Sequence, residues 1–348
     1  MKVKQLLKGL SFFVAGGLLS LVVLGIGAYI SNLNLPTGPQ SAGRLDELDK
    51  TRLAESLHLK AALGEGVWPG WGRMDIPILL WNRENNYLMG LVEPPAGWER
   101  VPDDLFQGAS YYRNPRMDPE NFALYIGDQW VASMATKVET DLFLQKVFRE
   151  AIPDRLEPFF PFRLLVLTSE FQISGVLHET FHVYQAKQVP EKFTQAQAAY
   201  QHEKAYWLVD PKMGPAWQDE MGLLIEAAEA ETRQESTRLV SQFLAARERR
   251  RAGYALTPGQ VSFEMEIEWL EGLAKYVELS IWEAASTSSH YQPMPHTQSD
   301  PDFKDYHTFN GRWRQEISQA RRQAAIQSDV RFYYSGMLQA RILDKVFP

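Results

Sequence analysis

The chain has 348 residues, of which 45% are hydrophobic and 23% are charged, and this composition excludes a disordered or low-complexity protein. Asp and Glu (43) outnumber Lys and Arg (36), so the net charge of −7 argues against nucleic acid as a partner, because phosphate binding needs a basic surface. The absence of cysteine excludes disulfides, thiolate nucleophiles and Cys-based metal sites. Any metal must therefore be bound by His and carboxylates.

The N-terminus has the pattern of a membrane anchor. Residues 1–8 contain three lysines and no acid, and residues 9–30 form an uncharged, apolar run. About 20 helical residues cross a hydrocarbon core of about 30 Å, so this run is long enough to span a bilayer. The lysines predict a cytoplasmic N-terminus and an extracytoplasmic (periplasmic or extracellular) remainder. A cleaved signal peptide is the alternative, although the run is long for one and no clear Ala-x-Ala site follows.

The rest of the chain is predicted to form one domain in which strands precede helices. Residues 31–42 are polar and contain Pro and Gly, which is typical of a linker leading into a domain over 43–348. Short apolar runs bounded by Asn, Gly and Pro indicate a small sheet within 43–168. The pattern in 169–348 is helical almost throughout. The predicted fold class is therefore α+β, predominantly α.

Individual elements follow from the same patterns. The predicted strands are Ile76–Trp81, Tyr87–Val92, Phe122–Ile126 and Trp130–Met134, and helices are predicted around 44–62 and 137–152. A basic cluster of Arg247, Arg249, Arg250 and Arg251 precedes Gly253. Cations followed by glycine are typical of a helix C-terminus, which we prefer to a lipid-binding patch.

Residues 178–182 read His-Glu-Thr-Phe-His, which is the H-E-x-x-H motif of zinc hydrolases. Two histidines four residues apart lie on one face of a helix, so both imidazoles can reach one ion. Glu179 follows the first histidine and is placed to take a proton from a water that the metal polarises. Apolar residues at helical spacing around the motif (Ile173, Val176, Leu177, Phe181 and Tyr184) predict a helix with a core-facing stripe. Two surface histidines on an amphipathic helix are the alternative interpretation.

A catalytic zinc needs a third protein ligand, and no histidine follows the motif closely, since the next one is His202. A remote carboxylate is therefore required. Residues 262–284 predict an amphipathic helix with an apolar seam (Phe263, Ile267, Leu270, Ala274, Val277 and Ile281) and a second stripe (Glu264, Glu268, Glu271, Lys275 and Glu278). Stacked glutamates repel one another in water and are more easily accommodated near a cation. Glu226 and Glu229, on a helix-like run over 217–244, are the rival candidates.

Two short segments carry a family resemblance. Residues 271–276, Glu-Gly-Leu-Ala-Lys-Tyr, resemble the Glu-Gly-Phe-Ala-x-Tyr segment of gluzincin metallopeptidases. The resemblance implies a zincin-like fold and one zinc ion bound by His178, His182 and Glu271. We expect Gly272 to let the ligand-bearing helix approach the motif helix closely.

Near the C-terminus, residues 333–337, Tyr-Tyr-Ser-Gly-Met, resemble the Tyr-x-x-Gly-Ala segment of the aminopeptidase branch of gluzincins. This resemblance implies that Tyr333 stabilises an oxyanion. A tyrosine of a hydrophobic helix with a satisfied hydroxyl is the alternative. The Gly-x-Met-Glu-Asn exopeptidase motif is absent, so the resemblance extends to zincin chemistry and not to an aminopeptidase.

These features predict zinc-dependent hydrolysis of peptide bonds in an extracytoplasmic peptide or protein, with Glu179 as general base. One of the strands at Phe122–Ile126 and Trp130–Met134 is expected to be the edge strand that pairs with an extended peptide. The alternative is a membrane-tethered helical binding or scaffold protein with a structural or vestigial zinc. A structural site would need a fourth protein ligand, for which His202 is the nearest candidate. A zincin acting on a non-peptide amide or ester is a third possibility.

Overall fold

A mixed six-stranded sheet lies beside a larger helical part in the computed structural model, which describes residues 23–39, 41, 43–115 and 117–347. The protein is therefore α+β and predominantly α, as predicted. The strands are β1 (Ile78–Trp81), β2 (Asn86–Met89), β3 (Glu99–Arg100), β4 (Tyr112–Asn114), β5 (Phe122–Ile126) and β6 (Gln129–Ala135). All four predicted strands are confirmed, whereas β3 and β4 are too short to show a pattern in the sequence.

The helices account for most of the chain after β6. They are α1 (residues 23–32), α2 (Glu47–Val67), α3 (Lys137–Ala151), α4 (Ser169–Gln188), α5 (Pro190–Ala199), α6 (Glu203–Val209), α7 (Gly214–Glu229), α8 (Arg233–Gly253), α9 (Pro258–Ile267), α10 (Leu273–Thr287), α11 (Pro295–Gln298), α12 (Phe309–Gln323) and α13 (Val330–Val346). Short 3-10 turns lie at Glu157–Phe159 and Phe162–Leu165. The predicted helices at 44–62 and 137–152 are confirmed as α2 and α3.

The strand order β3-β4-β2-β1-β6-β5 makes β5 an edge strand. Strand β6 pairs in parallel with β1 on one side and antiparallel with β5 on the other. The β5–β6 hairpin turns through Gly127, whose φ of 64° is accessible to glycine without strain. Of the two strands proposed as a peptide-binding edge, only β5 has a free side, and the suggestion for β6 is wrong because both of its sides are paired.

Helix α4, which carries the H-E-x-x-H motif, is enclosed by the rest of the fold. It packs against β5 and β6 on the sheet side and against α2 and α10 on the helical side. The predicted apolar stripe is confirmed, since Ile173, Leu177 and Phe181 are fully buried. The polar face of the helix is buried as well, so its charged side chains must find partners inside the protein.

The predicted helix over 262–284 is present, but it is interrupted. Helices α9 and α10 are joined without a break in the chain by a π-helical turn at Glu268–Gly272. The predicted apolar seam is confirmed as buried throughout. A π-turn inside an α-helix is uncommon and is frequent at functional sites. Here it carries Glu271, the predicted third ligand.

The π-turn rests against α13 through two glycines. A Cβ atom on Gly336 would lie 2.2 Å from the carbonyl oxygen of Glu268, and one on Gly272 would lie 2.4 Å from the Cα of Gly336. Both distances are far below van der Waals contact, so neither position accommodates a side chain. We expected Gly272 to allow close approach to the motif helix, and this expectation is wrong because Gly272 meets a different helix. The close contact is with α13, which carries Tyr333.

Buried ion pairs anchor the other side of the π-turn. Helix α8 ends at Gly253 as predicted, but two of its arginines are buried. Arg247 forms a bidentate pair with Glu268 (2.6 and 2.8 Å), and Ser335 of α13 donates a hydrogen bond of 2.6 Å to the same carboxylate. Arg250 pairs with both Glu220 and Glu264. The stacked glutamates at 264 and 268 are therefore stabilised by guanidinium groups.

The N-terminal segment lies against the domain. No helix within the described residues is long and apolar enough to cross a membrane. The predicted cytoplasmic tail (1–8) and the predicted anchor up to residue 22 lie outside the described residues. In the predicted linker, the Asn32 amide donates to the carbonyl oxygens of Pro158 and Phe160 at 3.2 and 2.8 Å. This part of the chain therefore contacts the segment that follows α3.

We expect Gly336→Ala to destabilise the protein, because the added methyl group overlaps the backbone of the π-turn. Forced packing of this kind lowers the free energy of unfolding by about 1–3 kcal/mol. The matched control is Gly311→Ala, since a Cβ at this exposed position of α12 meets no atom within 4 Å. The control should change stability by no more than about 1 kcal/mol. Urea unfolding followed by circular dichroism measures both variants, and equal midpoints would contradict the glycine contact.

Candidate metal centre

Three predicted ligands converge at one point in the protein interior. The Nε2 atoms of His178 and His182 lie 3.4 and 3.3 Å from Oε2 of Glu271. Zinc bonds of about 2.0–2.1 Å at tetrahedral angles put neighbouring ligand atoms roughly 3.3–3.4 Å apart. All three residues are buried, and their ligand atoms lie within 4.8 Å of one another. The donor set and its spacing therefore fit a divalent ion such as zinc.

The other ring nitrogen of each histidine also faces a partner. Nδ1 of His182 lies 2.9 Å from Oε1 of Gln185, whose amide nitrogen donates to the carbonyl oxygens of Trp269 and Leu270 at 3.1 Å. Gln185 therefore joins the motif helix directly to the π-turn. Contacts of this kind fix the ring orientation and the tautomer of a metal-binding histidine.

Glu278 plays the corresponding role for the other histidine. Its Oε2 atom lies 3.3 Å from Nδ1 of His178, and its Oε1 atom accepts a hydrogen bond of 2.7 Å from Lys275. Carboxylate, imidazole and metal in sequence form a common arrangement at zinc sites. Lys275 also lies 3.3 Å from Oε1 of Glu316.

The ligand cluster is strongly coupled electrostatically. Burial lowers the pKa of His178, but the carboxylates of Glu271 and Glu278 outweigh it and raise that pKa to about 10. Burial would raise the pKa of Glu271, yet the imidazoles of His182 and His178 hold it well below its usual range. Without a metal, a proton on His178 therefore balances the buried carboxylates. A divalent cation can replace that proton.

Glu179 is buried beside the ligands without using its full hydrogen-bonding capacity. Among the described residues, its Oε2 atom has no hydrogen-bond partner. Burial raises the pKa of this carboxyl to about 7, against the opposing effect of His178 and His182. A carboxyl with a pKa near neutrality can both accept and release a proton at physiological pH. The position and the pKa therefore suit a general base.

A cavity of about 680 Å³ gives access to this cluster. Its lining includes His178, Glu179, His182, Glu271 and Tyr333, so that every predicted site residue borders the same space. The Tyr333 ring is nearly parallel to the His178 ring at a centroid distance of 5.9 Å. Burial and the nearby Glu271 carboxylate raise the pKa of Tyr333 well above its usual value, so its hydroxyl stays protonated.

The edge strand reaches the same cavity. The Phe122 ring, at the start of β5, lies 4.7 Å from the His182 ring. On the opposite side, Lys275, Arg312 and Glu316 contribute charged groups to the wall. Arg312 pairs with Glu316, and its guanidinium also lies 3.6 Å from Oε1 of Glu278.

The rival ligands lie elsewhere. Glu226 and Glu229 are exposed on α7, and neither belongs to the one group of potential metal ligands found among the described residues. His202 is also outside this group, and its ring lies against Gly259. Within the part of the chain that the structure describes, the fourth protein ligand that a closed structural site requires is therefore absent.

Sequence reasoning missed several residues that shape the site. Gln185 follows His182 by three residues, so helical periodicity was a signal that it shares a face with the ligands. Glu278 follows Glu271 by two turns and belongs to the predicted stripe. Phe122 carried no signal, because its position depends on how β5 packs against α4.

Comparisons with known protein families, with curated proteins and with solved structures give no match. The chemistry of this centre is therefore inferred from its own residues.

We expect the protein to bind one Zn²⁺, and we expect His182→Ala and Glu271→Ala to abolish stoichiometric binding. The matched control, His202→Ala, should retain one ion. Gln185→Leu should weaken binding by about 10–100-fold, because it releases the His182 ring without removing a ligand. Metal analysis after dialysis against buffered free zinc measures these effects. Retention of one ion by Glu271→Ala would contradict the ligand set.

Zinc affinity should increase with pH, because the ion competes with a proton on His178. In the metal-free protein that pKa is about 10, so the ring is protonated at pH 7 and must lose its proton to bind. Affinity should therefore rise roughly tenfold per pH unit below that value. Calorimetry at pH 7 in buffers of different ionisation enthalpy should detect the release of about one proton from this group. Release of no protons would contradict the proposed charge balance.

Proposed function

We propose that this protein is a zinc-dependent hydrolase of peptide bonds, related in mechanism to gluzincin metallopeptidases and acting on an extracytoplasmic peptide or protein. The observation that carries the proposal is the convergence of His178, His182 and Glu271 in a cavity that also holds Glu179. Structural metal sites use four protein ligands, whereas catalytic ones use three and leave a position open. This difference favours catalysis over the membrane-tethered scaffold.

His178, His182 and Glu271 would hold the zinc, and their outer contacts would keep both imidazoles oriented. When bound, zinc acts as a Lewis acid on a carbonyl oxygen and on water. The π-turn presents the Glu271 carboxylate to the histidines, while Gln185 links this turn to the motif helix. Relative movement of these two elements is thereby restricted, which supports a preorganised site.

Glu179 transfers the proton. Its carboxylate accepts a proton from the attacking water and then delivers it to the departing amine nitrogen. In the metal-free protein burial raises the pKa of this carboxyl to about 7, well above its ordinary value, which favours a role in accepting a proton. Its unpartnered Oε2 atom leaves a hydrogen-bonding position free for this task.

Tyr333 is proposed as the donor that stabilises the oxyanion. Its hydroxyl stays protonated, and its ring lies over His178 on the wall of the cavity. A neutral donor that faces the developing negative charge lowers the barrier without being consumed in the reaction. The contact between Gly272 and Gly336 fixes the helix that carries this tyrosine relative to the π-turn.

A peptide is the proposed substrate because a sheet edge borders the site. Among the residues that the structure describes, no strand pairs with the outer side of β5, and its first residue, Phe122, contacts the His182 ring. An extended peptide can add to such an edge by main-chain hydrogen bonds, which would hold a scissile bond near the ligands. Non-peptide amides and esters lack this repeating backbone, so the edge strand favours a peptide over them.

The location of the reaction is part of the proposal. The uncharged run over 9–30 and the preceding lysines support a single membrane anchor with the domain on the extracytoplasmic side. Substrates would then be peptides or proteins of the periplasm or the cell exterior.

Glu179→Gln should abolish peptide hydrolysis while leaving zinc bound, because the amide cannot accept the proton and the ligands are unchanged. Loss of general-base catalysis alone corresponds to a fall in kcat of about 10²–10⁴-fold. Cleavage of a fluorogenic peptide library, with metal content measured in parallel, tests this expectation. The wild type should also be inhibited by hydroxamates. A fully active Glu179→Gln variant would rule out the mechanism.

Tyr333→Phe should lower kcat with little change in KM, because the hydroxyl acts on the transition state. Removal of one oxyanion donor lowers kcat by about 10²–10³-fold. The matched control is Tyr112→Phe, a buried tyrosine of β4 that is not part of the cavity lining. Steady-state kinetics on one peptide substrate separate the two variants. Equal kcat values for wild type and Tyr333→Phe would leave Tyr333 with a packing role only.

A further inference from the structure

Helix α3 has its polar and apolar faces reversed relative to an ordinary surface helix. Its buried residues are Lys137, Asp141 and Gln145, spaced at one turn each. Lys137 pairs with Asp141 and with Asp302 at 2.8 and 2.9 Å, which explains how the charged face is accommodated inside. On the opposite face Phe143 and Val147 are exposed, and Phe148 is exposed near the C-terminal end of the helix. A surface helix normally turns such residues towards the core.

The segment after α3 continues this apolar surface. Leu156 and Phe159, in and beside the first 3-10 turn, are 60% and 53% exposed, and Leu164 in the second turn is 80% exposed. The Phe148 ring lies 6.1 Å from the Phe160 ring, so the helix and the turns form one surface. We call the face formed by α3 and residues 156–164 the apolar platform. Contiguous exposed apolar surface marks a site of interaction with a membrane or with another protein.

The apolar platform adjoins the end of the predicted membrane anchor. Tyr29 of α1 lies 6.4 Å from Phe159, ring to ring, and Gly25 also lies against Phe159. Asn32 holds this contact in place through its hydrogen bonds to the backbone of residues 158–162. Helix α1 itself exposes Leu24, Ile26 and Ile30. The exposed apolar residues of α1 therefore lie on a helix that packs directly against the platform at Phe159.

The charge of the apolar platform agrees with a lipid partner. Helix α3 and residues 156–164 contain four Lys or Arg and four Asp or Glu, a net charge of zero, whereas the whole chain has a net charge of −7. The negative charge of the whole chain would be repelled by anionic lipid. The platform carries no net negative charge, so this repulsion does not act on it. Its exposed cations include Lys146 and Arg163, which can reach headgroups while the aromatic residues enter the acyl region.

We propose that the apolar platform is a membrane-contact surface that inserts into the interfacial region of the bilayer next to the anchor. The domain is then seated on the membrane and is not held away from it by a free linker. Continuity with the apolar run over 9–30 selects the bilayer over a second copy of the chain as the occupant. This inference depends on the N-terminal anchor and is independent of the proposed zinc chemistry.

The absence of native cysteine allows a direct test on the full chain. Single variants Phe143→Cys and Leu156→Cys, labelled with an environment-sensitive fluorophore, would be reconstituted in vesicles of phosphatidylcholine and phosphatidylglycerol. The matched control is Leu208→Cys, an apolar residue of α6 that is 75% exposed and lies outside the platform. Because all three side chains point outwards, the substitutions leave the core intact, and circular dichroism checks this.

Both platform labels should emit at shorter wavelength than the control, resist quenching by iodide and be quenched by lipids with a doxyl group on the acyl chain. The control label should show the opposite pattern. Iodide access equal to that of the control would overturn the proposal. Protection from iodide without quenching by doxyl lipid would also overturn it, since that pattern indicates a contact between two protein chains.

Discussion

A buried carboxylate that lies within 3.4 Å of two buried imidazoles forms the interaction on which the rest of this structure depends. Groups of this kind are costly to bury unless their charges and hydrogen bonds are balanced. The surrounding elements provide that balance through Gln185 and Glu278, which hold the ring nitrogens that face away from Glu271. The placement of the motif helix, the π-turn and α10 follows from this requirement.

The π-turn is held from two sides by different forces. On one side Gly272 and Gly336 allow two backbones to meet at a distance that no side chain would permit. On the other side the buried Arg247 fixes Glu268, one turn before the ligand. The glycine contact sets how closely α13 approaches the π-turn. The pair between Arg247 and Glu268 sets the orientation of the π-turn about its axis. Together they fix Glu271 and Tyr333 relative to the histidines, which supports the proposed division of roles between ligand and donor.

Burial has opposite consequences in two parts of the molecule. In the metal centre it raises the pKa of Glu179 to about 7, a value useful for proton transfer near neutral pH. In α3 it encloses Lys137 with Asp141, which leaves aromatic residues on the outer face. The first arrangement agrees with the proposed chemistry, and the second agrees with the proposed contact with the bilayer. Both place charged groups inside the protein, and both depend on partners supplied by elements remote in sequence.

The sequence by itself determined the fold class, four of the six strands and the motif helix, because these depend on local periodicity, and it proposed the candidate site residues from motif spacing and a resemblance. Glu271 was distinguished from Glu226 and Glu229 by a resemblance, and its position beside the imidazoles was decided only by tertiary packing. The π-turn, the contact between Gly272 and Gly336, the interior position of β6 and the reversed face of α3 could not be predicted. Each depends on contacts between segments far apart in the chain, whose hydrogen bonds, charges and close approaches leave no periodic signal in the sequence.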